Sequence, residues 1–400
     1  MPLANNKHDG PATMASVMFL QSLSLQNLLS FRDTQVELGP LTVLIGPNGS
    51  GKSNLIEAIG LLQAAPRDLN RAIIRGGGAA AWIWKGNGSA TTAELECAFH
   101  FEGSVSPAYR LSFSSIEQAL VVEEEELFGT PATKAGEKVS YVKRDRGEFR
   151  LCHFKEDAKS GQISSGESIL AAYKNPADPT PITRLGRNLS AIRIYREFAT
   201  GPYSQVRNGI SSSVPKSHLE EDGSNLAAVL HELNFNDGLP RIREYLRQLS
   251  DRFEDVKTRL EAGVIQTYLK ERGLSGNISA LRLSDGTLKL LCLLAVLCNP
   301  DPLPMVCIEE PEAGLHPDAL KIVATGLIEA SRRMQIIVTT HSENLVDHLS
   351  DHPENVVVCE RDGDEGTQFN RLSREKLGEW LEHYSLGELW KKGEIGGRRW

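Results

Sequence analysis

The sequence has no Cys-x-x-Cys pair among its six cysteines, so it carries no paired-thiol signature of a metal or redox motif. The thiols are scattered, and Cys292, Cys298 and Cys307 fall in apolar segments, which reads as reduced core thiols of a cytoplasmic protein. Nor is there a run of about 20 apolar residues, the length a membrane-spanning helix needs. The longest candidate, Leu288 to Leu297, is too short and carries Lys289. The N-terminus lacks the basic segment, apolar core and small-residue cleavage site of a secretory signal. Sustained heptads are missing, which excludes an extended coiled coil. A basic excess is missing too. The formal net charge of −8 is not that of a protein whose whole surface grips DNA, although it leaves room for a local basic face.

What is present is a soluble globular balance, 40% hydrophobic and 24% charged, over 400 residues. That length suits one large domain with an insertion, or two domains. Residues 1–16 read as a disordered leader, with Met14 or Met18 as the natural start. Strands are expected at Phe19–Leu25, Thr34–Leu38, Leu41–Ile45, Ala93–Phe101 and Tyr109–Phe113, with a helix at Asn54–Gln63. Arg75–Gly88 is a Gly/Ala/Trp-rich loop with no role legible in its residues. The stretch 115–280 differs in texture: an acidic run at Glu123–Glu126, Gly/Pro/Ser breaks, and amphipathic helices at Ser224–Leu233 and Pro240–Leu260. It reads as a helical insertion or lid. Thereafter helices (Thr287–Leu297, Pro317–Arg333, Glu343–Leu349) alternate with strands (Met305–Ile308, Gln335–Thr339, Asn355–Glu360), followed by a Gly turn and a polar tail. Such alternation predicts a mostly parallel sheet with helices on both faces, an α/β fold.

Two sites carry chemistry. Gly46-Pro-Asn-Gly-Ser-Gly51-Lys52-Ser53 matches the phosphate-loop pattern G-x-x-x-x-G-K-[ST] after an apolar strand and before a helix. Its glycines let backbone N–H groups close around a phosphate while the helix N-terminus adds positive potential. Asn48, Gly49, Ser50, Gly51 and Asn54 supply the cradle, Lys52 reaches the β- and γ-phosphates, and Ser53 offers Mg²⁺ a hydroxyl. Farther on, Met305–Ile308 ends at Glu309-Glu310-Pro-Glu312. Acids at the C-terminal end of a parallel strand face the crevice where ligands bind. Alternation sends Glu309 to the metal and Glu310 to the γ-phosphate, as the base that orients water; Glu312 reads as a surface acid.

With these residues in hand, the chain resembles the ABC-type P-loop ATPases of the SMC/RecF/OLD group, and most of all the stand-alone bacterial AAA-type ATPases with an SMC-like head. The matching stretches are Asn27-Leu-Leu-Ser-Phe-Arg32, Gly46–Asn54, Leu283-Ser-Asp-Gly-Thr287, Ile308–Pro317 and Val338-Thr-Thr-His-Ser342. The resemblance implies an ABC-type P-loop fold with a mostly parallel sheet, an antiparallel N-terminal β subdomain and a helical lid. The implied division is an ATPase lobe at 17–114, the insertion at 115–280, a second lobe at 281–373 and a tail at 374–400. It makes Ser284, Asp285 and Gly286 a signature loop that meets the γ-phosphate of ATP held by a second copy. Gly314–Pro317 becomes the D-loop, where His316 reads equally as a turn histidine. His341 becomes the switch histidine, and Arg32, ahead of Ser30 and Phe31, a contact to base or phosphates. The metal-side acid is Glu309 where many members have Asp, giving a longer reach. The glutamine of the family's Q-loop has no counterpart, Gln63 being helical and too early.

The resemblance therefore implies an ATPase with ATP and Mg²⁺ as ligands, acting as an ATP-dependent homodimer in DNA maintenance or anti-phage defence. It further implies contact with DNA, a separately encoded effector (a nuclease or toxin) and no membrane. The arginines of Pro240–Leu260 offer phosphate contacts, but interspersed acids favour a solvated mixed-charge face. One alternative is an OLD-type nuclease-associated ATPase, for which about forty residues after the last motif are few. The other is an ABC transporter subunit, disfavoured by the form of the phosphate loop and acidic motif and by the large insertion.

Overall fold

The structure is a computed structural model that describes residues 18–86, 90–101, 106–130, 139–152, 160–175 and 181–397. The leader at 1–16, with Met14, lies outside the described residues; Met18 is buried as the first residue of a strand.

Strand β1 (Met18–Leu28) turns back into β2 (Phe31–Glu37), and β3 (Leu41–Ile45) runs into helix α1 (Lys52–Ala64). Short helix α2 (Leu69–Arg75) leads into the Gly/Ala/Trp-rich loop, which itself carries α3 (Ala79–Trp82). Then follow β4 (Thr92–Phe101), β5 (Ser106–Ile116), β6 (Ala119–Thr130), β7 (Val139–Asp145), β8 (Glu148–Leu151) and β9 (Ser160–Gln162). Helices α4 (Ile169–Ala172) and α5 (Pro181–Ser190) lead to β10 (Arg193–Tyr195). After β11 (Ile210–Ser211) come α6 (Leu226–Leu233), α7 (Gly238–Leu249), β12 (Phe253–Glu261), β13 (Val264–Glu271) and β14 (Ile278–Ser279). The last third holds α8 (Asp285–Leu297), β15 (Met305–Glu309), α9 (Pro317–Ala330), β16 (Gln335–Thr339), α10 (Glu343–Asp347), β17 (Val356–Asp362) and β18 (Gly366–Arg371). It closes with α11 (Arg374–Leu381) and α12 (Leu386–Lys392).

Fourteen strands form one sheet in the order β10-β15-β16-β3-β17-β18-β2-β1-β4-β5-β6-β7-β8-β9. The first five run parallel, and from β17 onward every pairing is antiparallel. The parallel strands are short apolar runs because both faces are covered. Their alternation divides two cores: Val43, Val306, Ile308, Ile336 and Val338 join α8 and α9, whereas Leu44, Cys307 and Ile337 join α1. The α/β class and the antiparallel N-terminal portion are as expected, but the sheet expected to be mostly parallel is mostly antiparallel, because β4 to β9 extend its antiparallel side.

The segment 115–280, expected as helical, also carries strands. β6 to β9 extend the main sheet, and β12 with β13 makes a separate hairpin. The helix expected to reach Leu260 ends at Leu249, after which Ser250 begins the turn into β12. Ala262 and Gly263 both have φ near +50° to +80°. Two successive positive-φ residues make the two-residue turn whose twist matches a hairpin, so this pair decides strand over helix. The acidic run Glu123–Glu126 lies in β6, where Glu125 is fully buried against Arg144 at 3.5 Å. Its carboxylate also accepts from Tyr109, Ser168 and the N–H of Ile169. The polar tail after β18 folds into α11 and α12, with Leu386, Leu389 and Trp390 in the core. Among the described residues no helix is long and apolar enough to cross a membrane.

Candidate functional site

The C-terminal ends of the parallel strands meet along one edge of the sheet, where an open α/β sheet offers a ligand crevice. β3 delivers the phosphate loop, β15 delivers Glu309 and Glu310, β16 delivers His341, and β10 delivers Arg196.

The loop between β3 and α1 has the backbone that its glycines allow. Gly46, Gly49 and Gly51 have φ of +144°, +76° and +108°. A Cβ on Gly46 would lie 2.3 Å from the Cys359 carbonyl oxygen, and one on Gly51 would lie 2.2 Å from Thr367 Oγ1. Lys52 is buried and donates from Nζ to the carbonyl oxygens of Gly46 (2.8 Å) and Pro47 (2.9 Å), bracing the loop across its mouth. Thr367 Oγ1 donates to Ser50 O at 2.8 Å and lies 2.8 Å from Ser30 Oγ. Asn48 and Gly49 are exposed, as is Ser53. Beside Asn54 opens a cavity of about 290 Å³, lined also by Ser30, Trp84, Lys85 and Arg361.

The two acids differ as alternation requires. Glu309 is turned inward, beside the Ser53 hydroxyl. Burial pushes its carboxyl above the ordinary glutamate value, and Arg196 and Ser53 pull it back. Glu310 is turned out: its side chain is 53% exposed, its φ is +44°, and its N–H donates to Thr339 O. A non-glycine residue in that left-handed region is uncommon and costs of order 1–3 kcal/mol. His341 Nε2 stands 3.8 Å from Glu310 Oε1. Glu312 is no surface acid. It accepts from Thr340 Oγ1 (2.7 Å) and from the N–H of His341 (2.8 Å), fixing the turn that carries the histidine.

A magnesium ion suits this corner. The donors are oxygens, and Glu309 Oε1 is buried with no hydrogen-bond partner. No group of three or more His, Cys, Asp or Glu that could form a metal cage occurs among the described residues. Magnesium rarely needs such a cage, because it binds through one or two carboxylates together with substrate phosphates.

The signature stretch opens α8. Ser284 caps the helix, accepting from the N–H of Thr287 at 3.1 Å. Asp285 is paired with Arg207, which is itself buried and also donates to the carbonyls of Thr200, Gly201, Ala280 and Leu283. A Cβ on Gly286 would meet the Gly314 carbonyl oxygen at 2.8 Å, so the loop lies directly on the D-loop stretch. His316 caps α9 by accepting from Asp318, which is the turn-histidine reading. A cavity of about 680 Å³ is lined by Ser284, Gly286, Thr287, Gly314, His316 and Arg252, with no phosphate-loop residue in its wall. Of the N-terminal trio, Phe31 is core, stacked on Phe369 at 5.8 Å, and Ser30 is buried; only Arg32 is exposed, donating to Asp364 O.

The structure therefore groups Lys52, Ser53, Glu309, Glu310 and His341 at the sheet edge, and sets Ser284 and Gly286 on a second cavity while Asp285 pairs with Arg207. A family model described as "AAA domain, putative AbiEii toxin, Type IV TA system" matches residues 41–347. The chain belongs to that family. Its SMC/RecF-like, ABC-type character is carried by further matches. It is 52% identical over 46 residues to the DNA replication and repair protein RecF of Paenarthrobacter aurescens, covering 11% of this chain and 12% of that protein. It is 42% identical over 57 residues to the DNA double-strand break repair Rad50 ATPase of Sulfolobus acidocaldarius, 14% of this chain and 6% of that protein. The matched stretches thus span a small fraction of these relatives' length. In fold it is similar to an SMC head bound to the C-terminal winged-helix domain of ScpA, with a TM-score of 0.53 and 16% identity over 90% of this chain and 99% of that one. An SMC head with an extended coiled coil, bound to a ScpA domain from Pyrococcus furiosus, matches at TM-score 0.53 and 16% identity, over 91% and 99%.

Reading the sequence missed Arg196, Glu57, Arg207 and the anchoring role of Glu312. For Arg196 the signal was slight: Ile192, Ile194 and Tyr195 precede it, but Arg193 interrupts the apolar run that so plainly exposes Glu309. For Arg207 there was none, since its partners at the signature stretch, Leu283 and Asp285, lie more than seventy residues away.

Proposed function

We propose that this chain binds ATP with Mg²⁺ in the cradle at 46–54 and hydrolyses it, and that two copies close on each nucleotide. The observation that carries the reading is the placing of Glu309, beside Ser53 of the phosphate loop, next to Glu310 and His341, whose side chains lie 3.8 Å apart. On binding, Lys52 releases the carbonyls of Gly46 and Pro47 and donates to the β- and γ-phosphates. The N–H groups at the start of α1 meet the phosphates with the helix dipole behind them. The base and ribose are assigned to the cavity beside Asn54, whose wall includes Ser30 and Arg361, with Arg32 as a further contact. Ser53 and Glu309 hold the metal, which when bound neutralises charge building on the phosphates. Glu310 accepts the proton of the attacking water, and His341, 3.8 Å from it, orients that water or the γ-phosphate.

The signature loop serves the other copy. Ser284 and Asp285 are exposed at the start of α8, and Ser284 and Gly286 line a cavity apart from this chain's own phosphate loop. A helix N-terminus with free N–H groups suits the γ-phosphate of an ATP held by a partner subunit. Opening after hydrolysis makes the dimer a ligand-biased two-state element. The RecF and Rad50 likenesses support work on DNA, in maintenance or anti-phage defence. The SMC heads solved with ScpA domains support a separately encoded partner.

Glu310→Gln is expected to bind ATP, to lose about 100-fold or more in turnover, and to accumulate dimers by light scattering. Turnover at the wild-type rate would remove Glu310 from the reaction. ATPase assays with and without DNA then decide whether DNA is a ligand.

A further inference from the structure

β10 runs parallel to β15 with Tyr195 opposite Ile308, so the next residues, Arg196 and Glu309, stand side by side at the sheet edge. Arg196 Nη1 donates to Glu57 Oε1 at 2.6 Å, and its Nε stands 3.4 Å from Glu309 Oε1. Glu57 lies one helical turn beyond Ser53 on α1, on the same face. Three elements thus converge on one carboxylate: Ser53 from α1, Arg196 from the end of β10, and Glu309 from β15. The two holds on the guanidinium are unequal. With Glu57 it forms a short hydrogen bond. With Glu309 it forms an ion pair only, for Oε1 of that carboxylate has no hydrogen-bond partner. That oxygen is the one a hard cation would take.

We propose that Arg196 is a stand-in cation at the metal corner. It neutralises Glu309 in the nucleotide-free chain, yields that carboxylate to the divalent cation when metal and nucleotide load together, and stays anchored on Glu57 beside the phosphates. The proposal rests on the reading of Ser53 and Glu309 as the metal corner. The physical reason is competition: a guanidinium and a divalent ion cannot both sit at the same buried oxygen, and the loose contact is the one that exchanges. Arg196 is a positioning residue here, acting through Glu309. It also occupies the end of the strand beside the acidic one, where no glutamine is found.

The test reads binding rather than turnover, using a fluorescent ATP analogue titrated in EDTA and at graded Mg²⁺. Arg196→Ala removes the competitor and leaves two carboxylates facing the phosphates. Its half-saturating Mg²⁺ is expected to fall about fivefold, while affinity in EDTA weakens, so the ratio of the two dissociation constants rises. Glu57→Gln frees the guanidinium for Glu309 and is expected to move half-saturating Mg²⁺ the opposite way. Arg196→Lys, with charge but no fork, should return the ratio toward wild type, which a merely structural role would not require. An unchanged Mg²⁺ dependence in Glu57→Gln and in Arg196→Ala, with native melting temperatures, would overturn the role of Arg196 alone. Failure of the wild-type chain to bind the analogue in either condition would overturn the site reading with it.

Discussion

The phosphate loop and the signature loop are both turns that open a helix toward an anion, yet they are held in opposite ways. The phosphate loop is built into the sheet: Gly46 lies against the backbone of β17, Gly51 against Thr367 of β18, and Lys52 is buried across the mouth. The signature loop is gripped from behind and open in front. Arg207 gathers its carbonyls and Asp285, Gly286 rests on Gly314, and Ser284 remains exposed. A loop sealed within its own sheet can make a complete half-site by itself. A loop presented on the surface offers its helix end to something outside the chain. The contrast is what a site shared between two copies would require.

The comparison can be broken most severely at the sealed loop. Lys52→Ala removes the cation that meets the phosphates, and nucleotide affinity is expected to drop about 100-fold, as for a buried charge-assisted contact. Calorimetry with ATP checks this, and tight binding by the variant would undo the cradle. At the open loop, Ser284→Arg should leave monomer affinity within about twofold, because an exposed substitution leaves the rest of the fold alone. ATP-dependent dimerisation should nevertheless be lost by light scattering, and a dimer of undiminished strength would mean that this loop faces no partner. The smallest effect sharpens the contrast. Arg207→Ala strips the signature loop of its rear support, lowering stability by about 3 kcal/mol for the loss of a buried, multiply bonded charge. Thermal unfolding reads that loss. Dimerisation should weaken severalfold while nucleotide binding by the monomer is kept.

Residues on the parallel strands were legible because their chemistry is local. An apolar run, glycines at fixed offsets and a Lys-Ser pair specify strand, turn and helix within a dozen residues, and helix α1 falls within two residues of its expected bounds. Glu309 and Glu310 were separable because side chains alternate along a strand. The hairpin of β12 and β13 was not legible as such. Charged residues at helical spacing continued the pattern of α7, and only pairing with Val264–Glu271 made the strand the better choice. The same holds for Glu125, one of four consecutive acids. Nothing local marks it as the one that is buried; Arg144, nineteen residues on, does so by pairing with it.

The sequence by itself determined the phosphate loop, the acidic strand end and the order of the motifs, since each depends on backbone geometry set by near neighbours. Only the tertiary structure decided that Arg196 stands beside Glu309, that Arg207 supports the loop before α8, and that Glu312 fixes the turn carrying His341. Those contacts join residues 29 to 113 positions apart, and which groups meet over such distances is settled by strand order and packing.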